Sequence, residues 1–216
     1  MKKNFTEIVF VLDESGSMED LRSDTVGGFN SLIGKQKNEE GDAVVSAVLF
    51  STESHVLYDR VPIENIGRMT EKDYCPNGGT ALLDAVGDAV RHIRNIHKYA
   101  RPDDVPEHTL FIVTTDGMEN SSRKYTAKKV KSMITEQQEK YGWEFVFLGA
   151  NIDSAETAES IGIAPASAVD CFADSVGCTV QYETMSRAVS IARKGIKLSD
   201  CSEWREDADA DIRRRK

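Results

Sequence analysis

The feature that most constrains the fold is an unbroken apolar run from Ile8 to Leu12, IVFVL, followed at once by DESGS at residues 13–17. The run is short, rich in β-branched residues and free of polar alternation, so it predicts a strand buried on both faces of a parallel sheet. Asp13 then lies just beyond the carboxyl end of that strand, the edge where open α/β sheets bind ligands. One carboxylate and two hydroxyls there predict a bound cation, and all-oxygen ligands favour magnesium, manganese or calcium over zinc or copper.

The length and composition indicate one α/β domain that is large enough to cover a central sheet on both faces. The chain has 216 residues, of which 40% are hydrophobic and 29% are charged. We expect the domain to span residues 1–198. Residues 199–216 mix acidic and basic side chains and end in RRRK, so we expect a charged, mobile tail.

The charge balance disfavours two classes of partner. Lysine plus arginine total 27 against 36 aspartate plus glutamate, and the net charge of -9 argues against nonspecific binding to nucleic acid or to an anionic membrane. No apolar stretch reaches the roughly 20 residues needed to span a bilayer, and residues 1–4 lack the apolar region of a signal peptide. We therefore expect a cytoplasmic protein. The four cysteines form no CxxC pair, and we expect reduced thiols, with the state of Cys171 and Cys178 left open.

Strand-like runs alternate with helical segments along the chain, as in a layered α/β domain. The tip between the second and third runs is too short for a parallel crossover, so these two strands should form an antiparallel hairpin at one edge. The sheet is therefore expected to have six strands and to be mostly parallel, with one antiparallel edge strand. The runs lie near residues 5–13, 43–51, 55–61, 108–115, 143–149 and 168–173.

Two predicted helices flank the candidate site. The first has an apolar face from Val26 to Ile33 and is expected to end at Gly34. The second is the clearest in the chain, with apolar residues recurring every three or four positions between Leu82 and Ala100. Thr80 directly precedes it, after two glycines, and suits either an N-cap or a metal ligand.

A second carboxylate follows a second buried strand. The run from Thr109 to Thr115 is again continuously apolar or β-branched, and it ends at Asp116. Three separated pieces then stand out: Asp13 with the two serines, Thr80 before a helix, and Asp116 after a strand.

These pieces resemble the von Willebrand factor A (vWA) family. The motif DxSxS is present as Asp13, Ser15 and Ser17, and the family's single threonine and aspartate are matched by Thr80 and Asp116. All five positions of the metal-ion-dependent adhesion site (MIDAS) are filled. The resemblance covers roughly residues 5–195 and implies a Rossmann-like three-layer α/β/α fold. It also implies a non-enzymatic module with one divalent ion at the upper rim of the sheet.

The resemblance also implies a role for each site residue. Ser15 and Ser17 would bind the ion directly, Asp13 and Asp116 would act largely through water or by orienting hydroxyls, and Thr80 would join the shell as ligand binds. Such a shell, rich in neutral hydroxyls, under-neutralises the cation, which we expect to be magnesium, and the resemblance implies that the open position would take a partner protein's Glu or Asp. Stand-alone domains of this kind occur in bacteria and their phages, some encoded beside tellurium-resistance and other stress systems.

Several alternatives remain open at the level of sequence. Ser15 and Ser17 could cap the following helix, and Glu14 should face solvent or a helix dipole rather than the ion. Glu119, Asn120 and the segment 74–76 could shape the rim or be ordinary loop residues. A magnesium-dependent phosphoryl-transfer enzyme using Asp13 is the competing function, although Ser15 stands where such enzymes have their second aspartate. Neither the partner nor the oligomeric state follows from the sequence.

Overall fold

The computed structural model describes residues 1–215 as a six-stranded sheet with helices on both faces. The strands are β1 Lys2–Asp13, β2 Asp42–Phe50, β3 Ser54–Pro62, β4 Pro106–Thr115, β5 Glu144–Ala150 and β6 Ala168–Cys171. The helices are α1 Arg22–Gln36, α2 Leu82–Tyr99, α3 Ala127–Tyr141, α4 Ser154–Ser160, α5 Ser175–Arg193 and α6 Glu206–Arg215. All six strands expected from the sequence are present.

The strand order places β1 and β4 side by side in the middle of the sheet. The order is β3-β2-β1-β4-β5-β6, and every neighbouring pair is parallel except β2 with β3. The expected antiparallel edge hairpin and the mostly parallel, three-layer α/β/α sheet are therefore confirmed. Because the chain leaves β1 toward β2 and returns on the other side as β4, a crevice forms where their carboxyl ends diverge, the usual ligand position in such sheets.

The alternation of side chains along β1 divides the core into two layers. Ile8, Phe10 and Leu12 pack on one face with α1 and α5, whereas Val9 and Val11 pack on the other face with α2 and α3. Each of these five side chains is at most 1% exposed. The apolar run is continuous because both faces of the strand are covered.

One helix boundary was predicted wrongly. The helix α1 does not end at Gly34 but continues to Gln36. The guanidinium of Arg193, on α5, donates hydrogen bonds to the backbone carbonyls of Gln36, Glu39 and Gly41. Carbonyls at the end of a helix and in the turn that follows it need hydrogen-bond donors. Here the donor is a side chain 157 residues away along the chain, so the local sequence gives no sign of it.

The described part of the tail also differs from the expectation of a mobile segment over 199–216. Residues Glu206–Arg215 form the helix α6, which packs on α5 and β6. Trp204 is 1% exposed in the core layer of α1 and α5, and Ala208 is buried beside it. Arg215 pairs with Asp174, the N-cap residue of α5. The sequence did not indicate this packing, because the charges of the tail outnumber the two apolar residues, Trp204 and Ala208, that bury it against the core.

Two smaller expectations can be compared with the structure. The four cysteines are free, in agreement with the expected reduced thiols. No helix within residues 1–215 is long and apolar enough to cross a membrane.

Replacement of Trp204 tests whether the tail belongs to the folded domain. Trp204→Ala should lower the free energy of unfolding by about 3 to 5 kcal/mol, since it removes a large buried side chain and leaves a cavity. Urea unfolding measures the change, with Tyr99→Ala as an aromatic control at a site that is 79% exposed. Equal stability of the two variants would show that the tail does not pack on the domain.

Candidate metal centre

The carboxyl ends of β1 and β4 bring the serine loop against Asp116. The Oγ of Ser17 donates a hydrogen bond of 2.7 Å to Oδ1 of Asp116, and Oγ of Ser15 lies 3.5 Å from the same oxygen. The two serine hydroxyls are 3.1 Å apart. Asp116 is buried, whereas Ser17 is exposed at the surface. Three oxygen donors therefore converge at one point on the rim of the sheet.

Asp13 lies beneath this cluster and holds its loop in place. One oxygen of its carboxylate accepts the Ser15 amide at 2.7 Å, and the other accepts the Thr115 hydroxyl at 2.6 Å. The buried Tyr74 hydroxyl donates to the backbone carbonyl of Asp13. Asp13 is 1% exposed. It is therefore positioned to orient the serine loop rather than to reach solvent.

The serines do not act as helix caps in the structure. Ser15 precedes the short 3-10 turn Gly16–Leu21, but its side chain makes no capping hydrogen bond. The backbone instead ties this loop to the next one, since the amide of Gly16 donates to the carbonyl of Gly78 at 3.1 Å. Both serine hydroxyls are thereby left to the cluster around Asp116.

Thr80 is also not a cap. Ala81 is the N-cap residue of α2, and Thr80 is buried, with its amide donating to Oδ1 of Asn120 at 2.9 Å. A β-carbon added to Gly117 would lie 3.6 Å from Oγ1 of Thr80. The threonine hydroxyl therefore lies beside the backbone that directly follows Asp116, and the structure brings all five predicted site residues to the same edge.

Glu119 and Asn120 build the loop behind Thr80. The carboxylate of Glu119 accepts the amide of Leu83 at the start of α2 and the amides of Ser121 and Ser122 in its own loop, so it ties that loop to the helix. Asn120 accepts the amide of Thr80, and the carbonyl of Thr80 accepts the amide of Asn120. Asn120 therefore fixes the position of Thr80, and Glu119 fixes the loop that carries Asn120.

The expected solvent exposure of Glu14 was wrong. Its side chain is not solvated but buried, where it accepts the amide of Cys75 at 3.1 Å and lies 3.3 Å from Nδ1 of His55. Burial raises the pKa of Glu14, and the hydrogen bond from Cys75 partly opposes that rise. Glu14 therefore anchors the 74–76 segment against the serine loop, on the side away from Asp116.

Comparison with known proteins identifies the fold. No family model and no curated protein matches the chain. Among solved structures, proximal thread matrix protein 1 from the mussel byssus, in a form with a zinc-occupied MIDAS motif, aligns with a TM-score of 0.58 at 13% identity, over 87% of this chain and 46% of that chain. A von Willebrand factor type A protein from Catenulispora acidiphila aligns with a TM-score of 0.58 at 15% identity, over 84% and 42%. The chain has a vWA fold.

A third solved structure with the vWA-like arrangement is the manganese-loaded TRAP protein of Plasmodium vivax. It aligns with a TM-score of 0.55 at 15% identity, over 83% of this chain and 73% of that chain. The chain spans less than half the length of the first two proteins. At these identities the likeness establishes the vWA fold, and the chemistry of the site has to be argued from this chain's own residues.

The two carboxylates of the site are buried, and among the described residues they have no basic partner. Burial raises the pKa of Asp13, and the nearby charge of Asp116 adds to that rise. Within residues 1–215, neither carboxylate forms an ion pair with a lysine, arginine or histidine side chain. The same part of the chain contains no cluster of three His, Cys, Asp or Glu side chains suited to a metal. Two carboxylates and three hydroxyls therefore form an all-oxygen set that fits a hard divalent cation.

The support that two residues give to Asp13 was not predicted from the sequence, although the segment 74–76 was considered as part of the rim. Thr115 bonds Asp13 through its hydroxyl, and Tyr74 bonds the carbonyl of Asp13 across 61 residues. Thr115 could have been found, because it is the last residue of a strand that must end beside Asp13. Tyr74 gave no such signal, since the long loop before Gly78 has no periodicity.

The raised pKa of Asp13 predicts a pH dependence in the cation-free vWA domain. The folded protein holds the proton on Asp13 to higher pH than the unfolded chain, so the free energy of unfolding should fall as pH rises from about 4 through the raised pKa. Asp13→Asn has no charge to lose and therefore removes this pH dependence. Its amide oxygen can still accept the Ser15 amide, and its NH2 can donate to the Thr115 hydroxyl, because that hydroxyl can donate to the carbonyl of Gly117 instead. In chelator, the variant should gain stability relative to wild type as the pH rises to 7, as measured by urea unfolding. A difference that is constant with pH would contradict the raised pKa.

Proposed function

We propose that this vWA domain is a metal-dependent protein-interaction module that binds a carboxylate of a partner protein. Asp13, Ser15, Ser17, Thr80 and Asp116 would hold one divalent cation at the carboxyl edge of the sheet. The observation that carries the proposal is the pair of buried carboxylates, Asp13 and Asp116, which have no basic partner in the described part of the chain, with the Ser15 and Ser17 hydroxyls 3.5 Å and 2.7 Å from Asp116. Buried charges are otherwise paired with an opposite charge or with a metal.

Each residue of the site would have a distinct task. Ser15 and Ser17 present hydroxyl oxygens at the rim. Asp116 accepts a hydrogen bond from the Ser17 hydroxyl, which leaves the lone pairs of the serine oxygen for the cation. Asp13 holds the amide of Ser15 from below, and Thr80 supplies a third hydroxyl beside Gly117. When bound, the cation supplies an attraction for one more anionic oxygen. Since the side chains that would bind the ion directly are neutral hydroxyls and the two carboxylates would lie behind them, the protein would not fully cancel that attraction.

The identity of the cation is the next part of the proposal. The oxygen donors suit magnesium in the cell, with manganese and calcium as alternatives. The names of two structural neighbours report a zinc-occupied MIDAS motif and a manganese-loaded protein, which supports a divalent site in this fold. The open coordination position would be filled by a Glu or Asp of the partner, as the resemblance to the family implies.

The rim around the site suits a protein partner. Met118, two residues after Asp116, is 75% exposed, and it places an apolar side chain beside the proposed ion. Neighbours with this fold include a pilus adhesin from Lactobacillus rhamnosus and a pilus tip protein from Porphyromonas gingivalis. We propose an acidic segment of a protein as the ligand and, from the family resemblance, a bacterial cytoplasmic setting linked to stress or phage systems.

The geometry around Asp13 favours binding over phosphoryl transfer. Both carboxylate oxygens of Asp13 accept hydrogen bonds and the residue is 1% exposed, so neither oxygen is free to attack a phosphate. The alternative would be supported by magnesium-dependent hydrolysis of a generic phosphate ester that is lost in Asp13→Asn.

Magnesium should stabilise the domain through the two serines. At 100 times its dissociation constant, a ligand adds about 2.7 kcal/mol of stability, which raises the melting temperature of a domain of this size by about 5 to 10 °C. Wild type should show this shift in differential scanning fluorimetry, and the double variant Ser15→Ala/Ser17→Ala should lose most of it. Ser31→Ala, at an exposed position on α1, is the matched control and should keep the full shift.

Two outcomes would count against the metal site. One is a wild-type melting curve that is identical in magnesium, in manganese and in chelator. The other is an equal shift in wild type and in the double serine variant, which would place the ion elsewhere on the domain.

Partner capture should depend on both the cation and Asp116. Wild-type protein immobilised in magnesium should retain a partner that elutes with chelator, and Asp116→Ala should retain little of it, because the cation would then lose a charged neighbour. Asp84→Ala is the matched control, since Asp84 only caps the segment 123–125 through backbone amides. Capture that survives both chelator and Asp116→Ala would exclude the carboxylate bridge.

A further inference from the structure

Both ends of the domain expose large apolar side chains. At the carboxyl edge of the sheet, beside the proposed metal centre, Met118 is 75% exposed. At the opposite edge Met1, Tyr99 and Tyr141 are 71%, 79% and 61% exposed. Exposed apolar side chains that lie together mark surfaces that bind other proteins. The edge opposite the metal centre is therefore a candidate interaction surface.

A cleft at this opposite edge has room for an apolar side chain. It lies between the last turns of α2 and α3, the start of β4 and the residue before β5, and its volume is about 530 Å³. Met1, Tyr141 and Trp143 form apolar parts of its wall. Basic residues of α2 and α3 share the wall with Glu107 and Glu136, so the cleft does not select an ion of one sign. It suits a neutral, flexible side chain such as that of methionine.

The loop at the mouth of this cleft carries a free carboxylate. Residues 101–104 are all exposed, and Pro102–Asp104 form a 3-10 turn between α2 and β4. Asp104 pairs with Arg101 at 2.7 Å. Within residues 1–215, Asp103 forms neither an ion pair nor a side-chain hydrogen bond. Because Pro102 lines the cleft, Asp103 places a carboxylate next to apolar surface.

The helix α2 keeps this carboxylate away from the metal centre of its own copy. Thr80 lies just before the helix, and Asp103 lies shortly after its end. The 18 residues of α2 span about 27 Å, which a carboxylate side chain cannot bridge. Asp103 can therefore reach a metal centre only in another copy of the chain.

We propose that the partner of the metal centre is a second copy of this chain, which offers Asp103 to the cation. Met118 of the first copy would then enter the cleft of the second. One orientation allows both contacts, because Met118 lies two residues after Asp116 and Asp103 directly follows Pro102 at the cleft. This contact depends on the proposed function, since Asp103 has nothing to bind without the cation. It joins two different surfaces, so copies would assemble head to tail into chains or rings.

Sedimentation velocity of the full chain tests this assembly. In magnesium, wild type should form species that grow with protein concentration. Chelator should return it to monomer, because copies with a net charge of -9 repel one another. Asp103→Asn keeps the shape of the side chain and removes its charge, so it should weaken association by about tenfold or more. Met118→Ala should weaken it less, since only apolar contact is lost.

Two controls separate this contact from the metal site itself. Asp103→Asn should keep the full rise in melting temperature that magnesium gives to wild type, because Asp103 lies outside its own metal centre. Glu139→Gln removes an exposed charge from the last turn of α3, at the same end of the domain, and should assemble as wild type does.

A mixture of two variants gives the sharpest test. Asp103→Asn retains the metal centre, and Ser15→Ala/Ser17→Ala retains Asp103. Each variant should be monomeric alone. Equal amounts in magnesium should form a dimer that grows no further, because neither of its free ends can bind another copy.

Three results would overturn the proposal. The first is a wild type that stays monomeric at millimolar concentration while magnesium raises its melting temperature, since the metal site would then stand and its partner would be another protein. The second is association that is unchanged in Asp103→Asn. The third is a monomeric wild type without any magnesium-dependent shift, in which case the metal site and this contact fail together.

Discussion

The two buried carboxylates, Asp13 and Asp116, define the chemistry of this domain because the sheet places them side by side. They follow the central strands β1 and β4, whose parallel register pairs Leu12 with Thr114. Burial raises the pKa of Asp13, the nearby charge of Asp116 adds to that rise, and no basic side chain of the described residues pairs with either carboxylate. We propose that a divalent cation balances these carboxylates, and that the neutral hydroxyls which would bind it directly leave it able to attract an external carboxylate.

The loops around the site are organised to hold this arrangement. Asp13 fixes the serine loop through the amide of Ser15, and Thr115 and Tyr74 fix Asp13 in turn. On the other side, Asn120 fixes Thr80. Much of the polar network at this edge therefore serves to position three hydroxyls. A site that is positioned in this way loses little entropy when it binds a ligand.

The sequence was informative wherever a pattern is local. The apolar runs from Ile8 and from Thr109 indicated buried strands, and their polar ends indicated the site, since a strand's carboxyl end follows directly from its chain position. The failures involve contacts that are distant in sequence. Arg193 binds the carbonyl end of α1, which continues past Gly34. Glu14 is buried against Cys75 and His55. Trp204 packs the mostly charged tail against the core. None of these contacts leaves a periodic signal. The assignment of the five residues as metal ligands stays a prediction.

The most direct test of the account is the location of manganese in a crystal of the protein, by anomalous diffraction at the manganese edge. The account predicts one strong peak at the carboxyl edge of the sheet, within coordination distance of the Ser15 and Ser17 hydroxyls and next to Asp116. The peak should disappear in the Ser15→Ala/Ser17→Ala variant. A crystal that is saturated with manganese and has no peak there, or a peak that persists without the two serines, would contradict the central claim.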